Sequence, residues 1–407
     1  MLEKVAGGAD GPDVSRPGMS RALNADFHVL DDTGLLFDEA RQRLYVLDRT
    51  AAFVWCQLAD GLRPDEAAVR LAAATSLSTE TCMSLVDAAI RAWRAHGLLD
   101  VAPAAMRTGT AGVSVTDRMP PGAGPRPALA RPRRGRPQFY VAGLDVLIRC
   151  PAPHVARRVR PVFAHLPAAM AAEPGVVIDV RRGPRGYVIA CDGVPVADAA
   201  HVAEIAPAVK AALVQAILAR ADFRLAVHAA AIAADGRVLL IPGPAGAGKT
   251  TLAAALMAGG FTLLGDDTVV LEAGDLRVRP LPFAPAVKSG AWELLAPYFP
   301  DILDLPIDVR PDRRQVRYLR PARIATEAQP AQWIVFPRAK RHGRTSLEPL
   351  SRVEALRRLL TMCYAPARRL GAADVRQLVT WLAGLECYEL DASHLGTAVR
   401  LLRQICR

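Results

Sequence analysis

Between residues 26 and 47 apolar and polar positions alternate in three short runs, Phe27-His28-Val29-Leu30, Leu35-Leu36-Phe37 and Leu44-Tyr45-Val46-Leu47. Asp31-Asp32-Thr33-Gly34 and polar residues around Arg41 separate them. A period of two broken by turn-forming residues predicts a small antiparallel meander. The period then lengthens. Ala51, Val54, Trp55 and Leu58 fall at i, i+3, i+4 and i+7, a second helical run opens at Pro64 and reaches Leu71, and a third carries Val86, Ile90 and Trp93 before Gly97 closes it. Residues 1–25 are polar and glycine-rich and read as a disordered start. Residues 102–137, rich in Pro, Gly, Ala and Arg, show little apolar periodicity and read as a solvated linker.

Periodicity returns at Phe139. Strand-like runs cover 139–149, 176–180 and 187–191, and a long helix pattern covers about 200–221. A strand at 238–241 and a helix at 251–257 follow, then strands near 261–264, 268–272, 276–280, 333–336 and 346–350. Ser351-Arg352-Val353-Glu354 has capping-box spacing and opens a helix through Leu360. Helices near 372–384 and 394–405, with a short strand at 387–390, complete a mixed α/β unit. Boundaries at 26–101 and 138–407 thus enclose two domains on either side of the linker.

Composition narrows the options. Hydrophobic residues make up 51% and charged residues 22% of the 407, as in globular chains. No apolar run reaches the roughly 18 residues a membrane span needs, and no signal-like N-terminus is present, so a cytoplasmic protein with no membrane partner is expected. The seven cysteines are scattered and form no C-x-x-C pair, which argues against a disulfide framework or a zinc site. Residues 1–105 carry ten Lys and Arg against fifteen Asp and Glu, whereas the rest carries 41 against 25. The positive excess is diffuse and partly confined to the linker, so no nucleic-acid partner is expected. Of 51 basic residues only Lys4, Lys210, Lys249, Lys288 and Lys340 are lysine. Lysine is a slender point charge and arginine a broad fork, so a lysine retained here marks a narrow site; Lys4 and Lys210 read as chance placements.

The chemistry concentrates after Val238-Leu239-Leu240-Ile241. Gly243, Pro244, Ala245, Gly246, Ala247, Gly248, Lys249 and Thr250 form a complete G-x-x-x-x-G-K-T loop between a strand and the helix that begins at Thr251. Glycines let backbone amides wrap a triphosphate, and the helix N-terminus adds favourable partial charge. Lys249 should bridge the outer phosphates of ATP and Thr250 should ligate Mg2+. Beyond the helix, Phe261-Thr262-Leu263-Leu264 leads into Gly265-Asp266-Asp267. If that strand lies beside the loop strand, one aspartate can hold the metal and the other can take a proton from an attacking hydroxyl; the other reading is an ordinary acidic turn. His228, in an apolar run, reads either as a satisfied core histidine or as a partner of the phosphates. Lys288 reads either as a surface lysine or as a cation for the transferred phosphoryl group.

The run from His228 through Asp267 resembles the HPr kinase/phosphorylase family and its related kinase branch, over about 138–407. The resemblance implies an α/β P-loop kinase domain of the HPr kinase/PEP carboxykinase-like type. It also implies Asp266 as general base, Asp267 near the metal, and Lys249 and His228 in the catalytic set. Val316-Arg317-Tyr318-Leu319-Arg320-Pro321 and Ile334-Val335-Phe336-Pro337 are similar to the related branch. A Pro-rich stretch leading to Lys288 stands where bifunctional members carry a Glu-Ile-Arg-Gly-Leu-Gly-like signature, so phosphorylase activity is not implied. Residues 26–99 resemble PqqD-like proteins on the meander, on Leu47-Asp48-Arg49-Thr50-Ala51-Ala52-Phe53-Val54-Trp55, on Asp60-Gly61 and on Gly97-Leu98-Leu99. This implies a small winged-helix unit that captures the leader of a ribosomally made precursor peptide, with 44–47 as the nearest strand edge.

Together these features lead to an expected serine kinase-type phosphotransferase that uses ATP and Mg2+ on a side-chain hydroxyl of a leader-bound peptide, as a monomer or homo-oligomer. A non-catalytic chaperone with a nucleotide switch, or a nucleotide-responsive DNA regulator, are the alternatives.

Overall fold

The structure, a computed structural model, describes residues 25–99, 138–340, 342–364 and 369–407. Apart from Ala25, the expected disordered start and the linker at 102–137 lie outside these residues. The chain divides into two compact units, Met1–Gly112 and Val113–Arg407. No helix among the described residues is long and apolar enough to cross a membrane.

In the first unit β1 (Asp26–Leu30), β2 (Thr33–Asp38) and β3 (Arg43–Leu47) form an antiparallel sheet in chain order. Leu30 pairs with Thr33, so Asp31 and Asp32 alone make the first turn. Thr33 and Gly34, expected in that turn, are strand residues, because a two-residue hairpin matches the strand twist. Helices α1 (Arg49–Ala59), α2 (Pro64–Ala74) and α3 (Thr79–Ala95) follow. Asp48 caps α1 by accepting the amide of Ala51 at 2.7 Å, and Ser78 caps α3 in the same way. The apolar faces meet in one core where Trp55 and Trp93 pack edge to face at 5.1 Å, with Val54, Leu58, Leu71, Val86 and Ile90 around them. A fully buried leucine such as Leu58 contributes about 1.5–3 kcal/mol.

The second unit opens with β4 (Phe139–Val141), β5 (Leu144–Arg149), α4 (Pro153–Phe163), β6 (Val176–Gly183), β7 (Gly186–Cys191), β8 (Val194–Ala199) and α5 (Val202–Leu218). The five strands form one sheet in chain order, with β5 and β6 parallel across the α4 crossover. Helix α4 carries Val155, Val159, Val162 and Phe163 on its buried face and contains Pro161. Next come β9 (Leu225–Val227), β10 (Ala229–Ala234), β11 (Arg237–Pro242), α6 (Lys249–Ala258), β12 (Thr262–Gly265), β13 (Val269–Leu271) and β14 (Val278–Arg279). Then follow β15 (Ala286–Lys288), α7 (Trp292–Leu295), β16 (Asp308–Val309), β17 (Gln315–Tyr318), β18 (Ala331–Ala339) and β19 (Ser346–Pro349). The chain ends with α8 (Arg352–Thr361), β20 (Cys363–Tyr364), α9 (Ala372–Ala383), β21 (Glu386–Ala392) and α10 (Leu395–Ile405). A six-stranded mixed sheet, ordered β12-β10-β11-β18-β21-β19, forms the centre. Helices α6 and α10 share the core built on it, through Leu252, Leu256, Val399 and Leu402. Smaller sheets, β14-β13-β9-β20 and β15-β17-β16, complete a mixed α/β unit.

Gly97 lies at φ +68° just past α3, where an added Cβ would also come within 2.6 Å of the Arg41 guanidinium. Arg41 is held by the fully buried Asp38 at 2.8 Å. Gly97→Ala should therefore lower the stability of the first unit by about 1–2 kcal/mol in urea unfolding. Gly61→Ala, at φ +86° with open space around it, should cost measurably less.

Candidate functional site

A tight hairpin sets the site's geometry. Asp235 and Gly236 both have positive φ, as a two-residue turn between antiparallel strands requires, and they lock Ala234 opposite Arg237. Counting back along that register places Ala229 opposite Pro242, so His228 lies beside Gly243, whose amide approaches the His228 carbonyl at 3.4 Å. On its other edge β10 pairs with β12, with Ala231 opposite Gly265. The chain leaving Gly265 therefore runs past His228 as well. The aspartate-bearing strand is not a direct neighbour of the loop strand, as the spacing suggests; β10 lies between them. Because β10 is antiparallel to both, β11 and β12 still point the same way and open at the same end.

The loop after β11 turns at Gly246 and Gly248, both at φ +92°, and a Cβ at either would meet nothing within 4 Å. They face a cavity of about 470 Å3 walled by residues 245–251, His228, Asp266, Asp267, Lys288 and Arg310. This is a size suited to a small ligand. Thr251 belongs to that wall, whereas Gly243 and Pro244 stand behind it. Lys249 is the first residue of α6, two residues earlier than the apolar pattern indicates, and is only 6% exposed. Its ammonium donates to the carbonyls of Gly243 at 2.8 Å and Pro244 at 3.0 Å and lies 3.0 Å from His228 Nε2. Lysine can only donate, so Nε2 accepts. The imidazole proton then sits on Nδ1 and is given to the Asp267 carbonyl at 2.9 Å. Burial pushes the Lys249 ammonium below the ordinary lysine range, against the pull of Asp266 and Asp267.

The two carboxylates sit in different surroundings. Asp266 is 4% exposed, and burial holds its carboxyl above the usual carboxylate range despite Lys210 and the Thr250 hydroxyl, which donates to Asp266 Oδ1 at 2.8 Å. For Asp267 burial acts in the same direction, but Lys210, Arg310, His228 and Lys249 outweigh it and hold its carboxyl below the usual range. Arg310 Nη1 lies 3.5 Å from Asp267 Oδ2. Asp267 also adopts φ +78°, a backbone conformation that aspartate tolerates better than most residues but that still costs free energy. Burial, with Arg314 and Arg310 nearby, lowers the Lys288 ammonium too.

All the candidate residues thus converge on one cavity or brace its wall. Two participants escape the sequence. Lys210, read there as chance, is a buried lysine on α5 whose charge acts on both aspartates. Its signal was available: it falls between Val209 and the buried Ala212 and Leu213, on an apolar face where a lysine is out of place. Arg310 had no signal, since arginine is the routine cation of this chain.

Among the described residues no group of three or more His, Cys, Asp or Glu could cage a metal unaided. The donors present, the Thr250 hydroxyl and the Asp266 and Asp267 carboxylates, are hard oxygens. They suit Mg2+, which takes one or two carboxylates and completes its shell with water and phosphate oxygens. The open faces of Gly246 and Gly248 at the N-terminus of α6 suit an anion, and a triphosphate fits that description.

The family model described as Coenzyme PQQ synthesis protein D (PqqD) matches residues 33–99. Residues 33–99 are a PqqD-like domain. Among solved structures, TbiB1 in complex with the TbiA(beta) leader peptide is similar over 20% of this chain and 94% of its own, at 22% identity and a TM-score of 0.19. No curated protein matches the chain.

Thr250→Val keeps the side-chain shape but leaves a buried Asp266 oxygen without its donor. It should destabilise the second unit by about 1–3 kcal/mol in urea unfolding and leave the transition of the PqqD-like domain in place. Thr250→Ser, which retains the hydroxyl, should recover most of the loss.

Proposed function

We propose that the second unit transfers the terminal phosphoryl group of ATP to a side-chain hydroxyl, serine foremost, of a ribosomally made precursor peptide whose leader is captured by the PqqD-like domain. One observation carries this reading: two adjacent carboxylates, one hydrogen-bonded by Thr250 and the other reached by His228 and Arg310, stand at the mouth of a glycine loop that opens a helix. The spacing that suggests an HPr kinase-like P-loop domain is the same spacing that these contacts use.

The backbone amides at residues 246–250 would receive the phosphates, with Lys249 shifting from the loop carbonyls toward the outer oxygens. Thr250 and Asp267 would hold Mg2+, which when bound offsets phosphate charge. Asp266 accepts the hydroxyl proton as the acceptor oxygen bonds to phosphorus and the bond to the ADP oxygen breaks. A carboxylate raised by burial is the stronger base, and its neighbour, held ionised, is the better metal ligand. His228 and Lys249 orient Asp267, and Lys288 and Arg310 offset charge on the group in transit.

For the PqqD-like domain, β3 is an edge strand. An extended leader can add to it through backbone hydrogen bonds, with Val46, 53% exposed, as an apolar contact. A tether of about 35 residues at 102–137 would raise the local concentration of the captured substrate.

Asp266→Asn should reduce phosphate transfer by about 100- to 10,000-fold while leaving leader affinity unchanged. Undiminished product formation would remove Asp266 from the role of base. Independently, Val46→Asp should weaken leader binding by about tenfold, or roughly 1.4 kcal/mol, in a fluorescence-anisotropy titration and leave ATP binding as it was.

A further inference from the structure

One wall of the cavity carries Lys288 and Arg310, with Arg314 close enough to act on Lys288. Lys288, at the end of β15, pairs in register with Val316 of β17, and on the other side of β17 Asp308 faces the same Val316. The hairpin between β16 and β17 is therefore brought up beside Lys288. Its tip is closed by the Arg310 amide donating to the Arg314 carbonyl at 3.0 Å and the Arg313 amide donating to the Arg310 carbonyl at 2.9 Å. Lys288, Arg310 and Arg314 crowd like charge there against two carboxylates: Asp312, which meets Arg310 at 3.6 Å and Arg314 at 3.7 Å, and Asp267, 3.5 Å from Arg310. Arg310, Lys288 and Asp312 line the cavity, and the Arg314 side chain, 52% exposed, is paired with Asp312. Leu294 lines the same cavity while 56% exposed, giving the cations an aliphatic neighbour.

Resting on the reading of this unit as a peptide kinase, we infer that this wall selects the acceptor: it receives a peptide segment with carboxylates flanking the phosphorylated hydroxyl. Clustered, partly unpaired cations beside the reacting groups favour an anionic flank and disfavour a basic one. Leu294 supplies contact area for the peptide's aliphatic groups. Phosphate-backbone recognition would leave that leucine unused, which favours a peptide over a nucleic acid.

The test uses the full chain, Mg-ATP and three short synthetic serine peptides that differ only in the two residues flanking the serine, which are Glu, Gln or Lys. The Glu peptide should exceed the Gln peptide in kcat/KM by at least about fivefold, with the Lys peptide lowest. The gap should narrow as salt is raised, because exposed charges are screened. Arg314→Glu should invert the order of the Glu and Lys peptides. Equal phosphorylation of all three at low salt would overturn this inference and leave the kinase reading standing, whereas phosphate on none of them would remove the kinase reading and this one with it. If a single-stranded oligonucleotide blocks transfer while Glu and Gln peptides react alike, the wall serves nucleic acid and the inference fails.

Discussion

One strand constrains everything around the candidate site. β10, six residues of which five are alanine, is paired on both edges and buried along nearly its whole length. Its hairpin register with β11 brings His228 to the glycine loop at 243–248, and its pairing with β12 brings the Asp266-Asp267 segment past His228. A slip of one residue on either side would turn alternate side chains to the opposite face of the sheet and separate these groups. Ala230 and Ile232 face the core shared with α6.

Within that frame a short chain of donors links loop, histidine and aspartates. The Lys249 ammonium ties Gly243 and Pro244 to His228, and His228 passes its other nitrogen to the Asp267 backbone. The energetic strain of the arrangement sits at Asp267, in a left-handed conformation, and at Asp266 and Lys249, both taken out of water. Charged groups held against their solvation preference are characteristic of sites built to act on a charged ligand. Lys210 and Arg310, from two other sheets' surroundings, supply the compensating positive charge.

Much of this was legible in the residues. The alternation at 27–47 and the three helical periods that follow correspond to β1–β3 and α1–α3 within a few residues, and the G-x-x-x-x-G-K-T spacing located the loop and its helix. What escaped was tertiary in origin. Ala229–Ala234 has helix-favouring composition and no alternation, and only burial between two strands makes it a strand. The Asp235-Gly236 pair was the one local clue to that hairpin. The excursion containing β15, β16 and β17 consists of strands of two to four residues, too short for any period to show, so Arg310 and the basic wall became apparent only once those strands were paired.

The proposed activity is phosphoryl transfer to a peptide hydroxyl with Asp266 as base. The most direct measurement is intact-mass and fragment mass spectrometry of a leader-bearing precursor peptide after incubation with the full chain and Mg-ATP. The expected product carries the mass of one phosphate on a side-chain hydroxyl outside the leader, with ADP formed in step. ADP release with an unmodified peptide, or a peptide retained by the PqqD-like domain but never phosphorylated, would contradict it.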